Sequence, residues 1–424
     1  MAATSTIELI ATALFALAIA HTFSSSYIVH LGHRYPAHAG LWHLLGEVEV
    51  VFGFWASVLM VFMFFYAGRS EALQYIDRCN FTEPYFVFVV MVVAASRPIT
   101  TSVRNAVYWL ARLVAKPLPV KESLLLYFFT MSVIPLFGSL ITEPAAMTLA
   151  ALILRDMFIS YTMPQRVKYA TMGVLFVNVS VGGVLTPYAA PPVLMVAGAW
   201  GWDLAFMLTT FGWRSVLIVM INALVVSIIF RKAIVREASE PAAGETPIPL
   251  FMRAIHFAFL AMIVYFSHHP VIITPLLLFF LGLAGAYPQY QDRVLMLRES
   301  MLVAFFLGGL VVLGNMQTWW LQPALSGMSP DVLFWGVMPL SAIADNAAIT
   351  YLGSLVEGTD AAFRYSLVAG AIAAGGLTVI ANAPNPAGMA ILKGRFEDET
   401  VNPLKLFLAA LGPTIVAALI FFID

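Results

Sequence analysis

The stretch Leu340–Tyr351, LSAIADNAAITY, decides how the rest of the chain is read. It places an acid (Asp345), an amide (Asn346) and two hydroxyls (Ser341 and Thr350) inside an apolar segment running from Val332 to Leu355, which is about bilayer length. A carboxylate at that depth costs roughly 2.5–3.5 kcal/mol on insertion scales. Groups of that kind mark a functional site by default.

The chain carries the pattern twice. At a separation of 202 residues, Gly138–Leu149 reads GSLITEPAAMTL, and Ser139, Glu143, Ala145, Ala146 and Thr148 fall opposite Ser341, Asp345, Ala347, Ala348 and Thr350. A second pair of interrupted apolar segments follows: Asn178–Pro192 (NVSVGGVLTPYAAPP) after the first copy, and Ile380–Ala390 (IANAPNPAGMA) after the second. Paired Gly/Pro-interrupted segments in two halves point to the substrate site of a secondary transporter.

Composition agrees. The 424 residues are 61% hydrophobic and 11% charged, with a mean hydropathy of +0.88, far from the averages of soluble domains. An integral, all-α polytopic membrane protein is expected, with membrane lipid as its surroundings. Net charge is -1, and nothing suggests a nucleic-acid partner. Cys79 is the single cysteine, so an intrachain disulfide and a cysteine-based metal cluster are excluded. The first apolar run, Ile7–Leu31, is longer than a signal-peptide core and lacks a basic leader, and so reads as a spanning helix.

Read along the chain, the apolar runs give an inverted repeat of about ten transmembrane helices plus two re-entrant hairpins with broken helices. The first half covers 1–230, with its hairpin over about 122–157 interrupted at 138–144 and a broken span interrupted near 179–192. A polar linker occupies 231–252. The second half covers 253–424, with a hairpin over about 331–356 interrupted at 341–346 and a broken span interrupted near 381–387. All but four of the 22 Lys and Arg (Arg69, Arg78, Arg214 and Arg364) fall in segments that are cytoplasmic if the N-terminus is outside. With that orientation one hairpin enters from each side. The basic stretch Arg97–Lys121 reads as a cytoplasmic connection.

A helix breaks at membrane depth only where protein or trapped water satisfies the freed backbone. Such breaks offer carbonyls, hydroxyls, amides and a carboxylate, the hard oxygen ligands that suit a small hard cation. The expected ligands are Ser139, Thr142 and Asn178 in one half and Ser341, Asn346, Thr350, Asn382 and Asn385 in the other, with Asp345 and Glu143 as the carboxylates. Burial raises a carboxyl pKa and a bound cation lowers it. One carboxyl can thus hold a proton or a cation in alternation. A structural ion pair of Glu143 with Arg97 or Arg214 is the competing reading. Glu47 and Glu49 in the second span point in different directions, so at most one faces the pathway; Glu47, with His43 four residues before it, is a possible proton relay.

There is no P-loop, HExxH or GxSxG. Neither an ATP-driven pump nor an enzyme is expected, and no cofactor. Transport is then driven by an ion gradient, while a channel through the same polar breaks stays open as an alternative.

With these four motifs in order, the chain resembles the ion transporter superfamily, and within it the sodium/proton antiporters of the NhaD-like type. Ser341–Thr350 (SAIADNAAIT) is similar to the family's Ser-Ala-x-x-Asp-Asn motif, and Gly182–Met195 (GGVLTPYAAPPVLM) to its Gly-Gly-x-x-Thr/Ser-Pro stretch. The resemblance implies a cation site at the hairpin tips and unwound helices, elevator-like alternating access and a homodimer. The chain departs from it at Glu143-Pro144, where Asp-Asn is usual, and at Tyr188-Ala189-Ala190, where an acid often follows the proline. Ser-Asn-Thr motifs of the carboxylate carriers are absent. The expected function is exchange of sodium, or lithium, for protons in a bacterial inner membrane; an organic-anion, arsenite or dicarboxylate carrier is the alternative.

Overall fold

The structure, a computed structural model, describes residues 5–239, 247–291 and 295–423. Among the described residues every regular element is helical. The principal helices are α1 Thr6–Arg34, α2 Val48–Tyr66, α3 Thr82–Ala94, α4 Arg97–Ala115, α5 Glu122–Ile141, α6 Glu143–Met157, α7 Gln165–Gly182, α8 Pro191–Trp200 and α9 Trp213–Ile229. They continue with α10 Leu250–Tyr265, α11 Pro270–Ala286, α12 Leu297–Gly314, α13 Pro330–Ile343, α14 Asn346–Ser354, α15 Ala361–Ala374, α16 Asn385–Leu392 and α17 Pro403–Phe422.

Local chemistry sets several starts. Ser5 and Glu8 form a reciprocal capping box on α1. Ser329, Asp360 and Asn402 each accept a first-turn amide of α13, α15 and α17.

Among the described residues seven helices are long and apolar enough to cross a membrane singly, and the α3–α4 pair, bent by 64°, would make an eighth. Five shorter apolar helices accompany them: α8, α10, α11, α13 and α15. The expected connection at Arg97–Lys121 is instead largely helical. In α4, Ile99, Val103, Val107 and Ala111 recur at helical spacing and are buried, while Trp109 is exposed. Basic content masked this amphipathic face.

The helices form two packed sets. In one, α1, α2, α3, α10, α11 and α12 pack together; in the other, α5 to α9 pack with α13 to α17. The pairings are reciprocal between the halves. α1 packs on α2 and α12, as α10 does on α11 and α3; α2 on α12 is matched by α11 on α3; α6 on α16 is matched by α14 on α8. Each set therefore draws on both halves of the sequence.

The breaks fall close to their expected places, with differences. α5 runs unbroken through Gly138 and Ser139, and only Thr142 interrupts it before α6. Thr142 holds φ 73° and ψ 151°, a region almost reserved for glycine that costs roughly 1–3 kcal/mol. α5 has 20 residues, or about 30 Å at 1.5 Å per residue, so this limb has the length of a full span. α7 continues to Gly182, carrying Asn178 and Ser180 on regular helix ahead of the break. In the second half the break opens after Ala374, earlier than the prolines suggested, because Gly375 and Gly376 stop α15.

The linker expected at 231–252 contains a short helix, Arg231–Glu237, and α10 already begins at Leu250; residues 240–246, and Arg293 among the expected cytoplasmic charges, lie outside the described residues. Its first part is tied to the end of the α5–α6 hairpin. Ser160 and Thr162 donate their hydroxyls to the Glu237 carboxylate, and the Ser239 amide donates to Met157 O at 2.8 Å. These hydroxyls, with Arg236 helping, hold the Glu237 carboxyl down at about 2. A pKa depressed on folding stabilises above the unfolded value and is lost as pH falls through the folded one. The tether is therefore expected to survive acidification to pH 4 and to loosen only near pH 2, and Glu237→Ala to release it at neutral pH; the rate of limited proteolysis in the linker measures both.

Candidate functional site

The two repeated motifs meet the two helix breaks crosswise. Glu143 opens α6 at the hairpin tip and is fully buried. Its Oε2 accepts a hydrogen bond from Asn382 Nδ2 at 2.8 Å, across the boundary between the halves. Its Oε1 has no hydrogen-bond partner. Gly183, in the first break, makes room for it: a methyl at that residue would stand 2.5 Å from Oε1.

Asp345 occupies the corresponding turn in the second half, but as the N-cap of α14. Its Oδ1 accepts from the amides of Ala347 (2.8 Å) and Ala348 (3.3 Å), the bonds of a helix cap. The Asn346 amide donates to Ala381 O at 3.0 Å, fastening this tip to the second break. The Asn346 side chain is fully buried, and neither polar atom has a partner. It lies beside Ser180 at the Gly375 backbone, where an added methyl would meet Ser180 Oγ at 2.3 Å and Asn346 Nδ2 at 2.6 Å.

Thr142 Oγ1, Asn382 Oδ1 and Asn385 Oδ1 are also buried without hydrogen-bond partners. The structure thus gathers Thr142, Glu143, Asp345, Asn346, Asn382 and Asn385 around the crossing. Buried polar groups of a folded chain are nearly always paired, so a cluster of unpaired oxygens beside two carboxylates fits a ligand that supplies positive charge. No three His, Cys, Asp or Glu side chains among the described residues stand close enough to hold a metal ion. A cation here has to draw on amide and hydroxyl oxygens as well.

Other expected ligands serve as braces. Ser139 Oγ donates to Gly182 O (2.7 Å) and accepts from the Leu185 amide (2.9 Å). Ser341 Oγ donates to Ala371 O (3.1 Å), and Thr350 Oγ1 to the Asn346 and Ala347 carbonyls of its own helix. Asn178 stands apart: its Nδ2 donates to Met131 O and Val219 O, and its Oδ1 accepts from Asn222. It ties α7 to α5 and α9, with its hydrogen-bonding capacity engaged there. Neither arginine pairs with Glu143. Arg97 reaches Gln289 O, and Arg214 donates to Thr210 O and Ile423 O.

His43 and Glu47 do not share one helix. A turn at Gly46 separates the helix Ala39–Leu45, which carries His43, from α2, and Glu47 pairs with Arg298 at 2.6 Å. Glu49 faces the site instead. It lines a cavity of about 20 Å³ together with Asp345, Asn382, Ala383 and Pro386, which is room for one water-sized guest. The helix start decides this: with Glu47 as the flanking residue, the acid two positions on turns toward the core. Glu49→Gln is expected to weaken cation binding roughly tenfold, about 1.4 kcal/mol. Glu47→Gln, which opens a partly exposed pair worth about 0–1 kcal/mol, should leave it within twofold; the cation concentration giving half-maximal protection against thermal unfolding distinguishes the two.

A chain of apolar helices around a buried, broken-helix polar centre is an integral membrane protein of the transport class. A family model described as "Putative Na+/H+ antiporter" matches residues 6–423. The chain belongs to this family, whose description is that of a transporter of cations and protons. No curated protein matches the chain.

Proposed function

We propose that the protein exchanges sodium or lithium for protons by alternating access, with Asp345 and Glu143 as the carboxylates that hold cation or proton in turn. The observation that carries this reading is the cluster of unpartnered buried oxygens beside Glu143 and Asp345 at the crossing of the broken helices. A proton on a carboxyl removes the charge that a cation needs, and a bound cation lowers the affinity for the proton. Occupancy by one therefore excludes the other, and a carrier that reorients only when occupied couples the two flows.

In this reading the halves are an inverted repeat with the N-terminus outside and one hairpin entering from each face of a bacterial inner membrane. The set containing α5–α9 and α13–α17 moves against the other set, within a homodimer embedded in lipid. The reciprocal helix pairings support a two-fold relation of this kind. Family membership does not favour the organic-anion or arsenite alternative.

Purified protein in liposomes containing a pH-sensitive dye tests the proposal, with sodium, lithium, potassium and citrate added in turn. Proton movement driven by sodium or lithium and saturating with concentration is expected. A response to citrate alone, or an unsaturable flux, would overturn it.

A further inference from the structure

A second cavity, of about 280 Å³, also reaches Asp345 and shares Val48, Phe306 and Ile380 with the small one. It lies between α1, α2 and α12 of one helix set and α13 and α14 of the other. Phe15, Ile19, Phe52, Trp320, Val337 and Ile349 are among its walls. Phe23, Leu340 and Ile343, also on its walls, are half exposed, so the cavity meets the lipid-facing surface there.

Its polar content is small and mostly spoken for. Thr22 Oγ1 donates to Ala18 O, and Trp320 Nε1 to Gln317 Oε1 at 2.9 Å. Among the described residues Asp345 is the one ionisable side chain on the wall, and it stays partly accessible. No Lys, Arg or His among the described residues lines either cavity that touches it.

An apolar chamber with a carboxyl group at one end is complementary to one kind of guest: a hydrocarbon body with a single cationic head. We propose that this cavity is a binding site for an amphiphilic organic cation of the alkylammonium class, its ammonium at Asp345 and its chain between α1 and α13. Apolar lining gives affinity and one placed charge gives orientation, the usual division in small-molecule pockets. That volume exceeds the roughly 150 Å³ of an apolar cavity that holds a benzene ring, which suits a chain of about six carbons. A guest there bridges the two helix sets and occupies the carboxylate that sodium would need.

The binding test does not depend on the exchange reading, because its readout is occupancy and not flux. Full-length purified protein is titrated with n-hexylammonium and, separately, with n-hexanol, and tryptophan fluorescence is followed; Trp320→Phe should remove the signal. Hexylammonium is expected to bind saturably and at least tenfold more tightly than hexanol. Asp345→Asn, whose side chain can still cap α14, should bring the two ligands to equal affinity, and Val337→Phe should weaken both by filling the cavity. Equal affinity for the alcohol and the amine in the unaltered protein would make this a site for neutral apolar chains and overturn the proposal. A preference for the amine that survives Asp345→Asn, amine binding untouched by Val337→Phe, or no saturable signal would overturn it equally. Thermal unfolding of each variant confirms that the folded protein is being compared.

Discussion

Asp345→Asn is expected to reduce sodium-driven proton movement at least 100-fold while leaving the folded protein intact. Asparagine caps a helix as well as aspartate does, and its Oδ1 can still accept from the Ala347 and Ala348 amides that Asp345 now engages. What is lost is the negative charge and the ability to bind and release a proton. A factor of 100 corresponds to about 2.7 kcal/mol, a modest demand on a charge facing a cation in a site shielded from water. The thermal midpoint should shift by no more than a few degrees. Initial rates in liposomes, with the midpoint measured on the same preparation, check both parts; full exchange in this variant would remove Asp345 from the mechanism and shift attention to Glu143.

The largest effect on stability is expected from Gly376→Ala. Gly376 sits in the second break against α7, and a methyl there would lie 2.3 Å from Val177 N and 2.4 Å from Val177 Cα. Those are backbone atoms of a buried helix, so no side chain can swing aside. Overpacking a tight core usually costs about 1–3 kcal/mol, and a clash with backbone belongs at or beyond the upper end. The break would be pushed off α7, and with it Asn382, which holds Glu143. Gly282→Ala is the matched control. Its methyl would meet nothing within 4 Å inside α11, and replacing a mid-helix glycine gains roughly 0.5–1 kcal/mol. Thermal unfolding in detergent should therefore move the two variants in opposite directions; equal midpoints would show that the α7 contact yields more easily than its backbone geometry implies.

Much of this architecture was legible from residue order alone. Membrane character follows from composition, because apolar runs of bilayer length have few other stable uses. The repeat Ser-x-x-x-acid-x-Ala-Ala-x-Thr marked the helix interruptions at Thr142 and at Ala344–Asp345, since a carboxylate inside such a run is too costly to be incidental. Glycine and proline marked both breaks, because each interrupts the helix at its own position whatever surrounds it. These are local properties, and a sequence states local properties directly.

Only the tertiary structure decided which of the polar side chains remain available to a ligand. Asn178 and Asn346 are both amides in apolar segments, yet Asn178 is bonded to Met131, Val219 and Asn222 while Asn346 has no side-chain partner. Glu47 and Glu49 are two residues apart, yet one meets Arg298 and the other faces Asp345. Glu143 finds its partner in Asn382, 239 residues away. Hydrogen bonds and ion pairs are made at distances of about 3 Å between whatever groups the fold brings together. The sequence determined where the chain would be apolar, broken and charged; the packing of one half against the other determined which of those charges and amides would face each other.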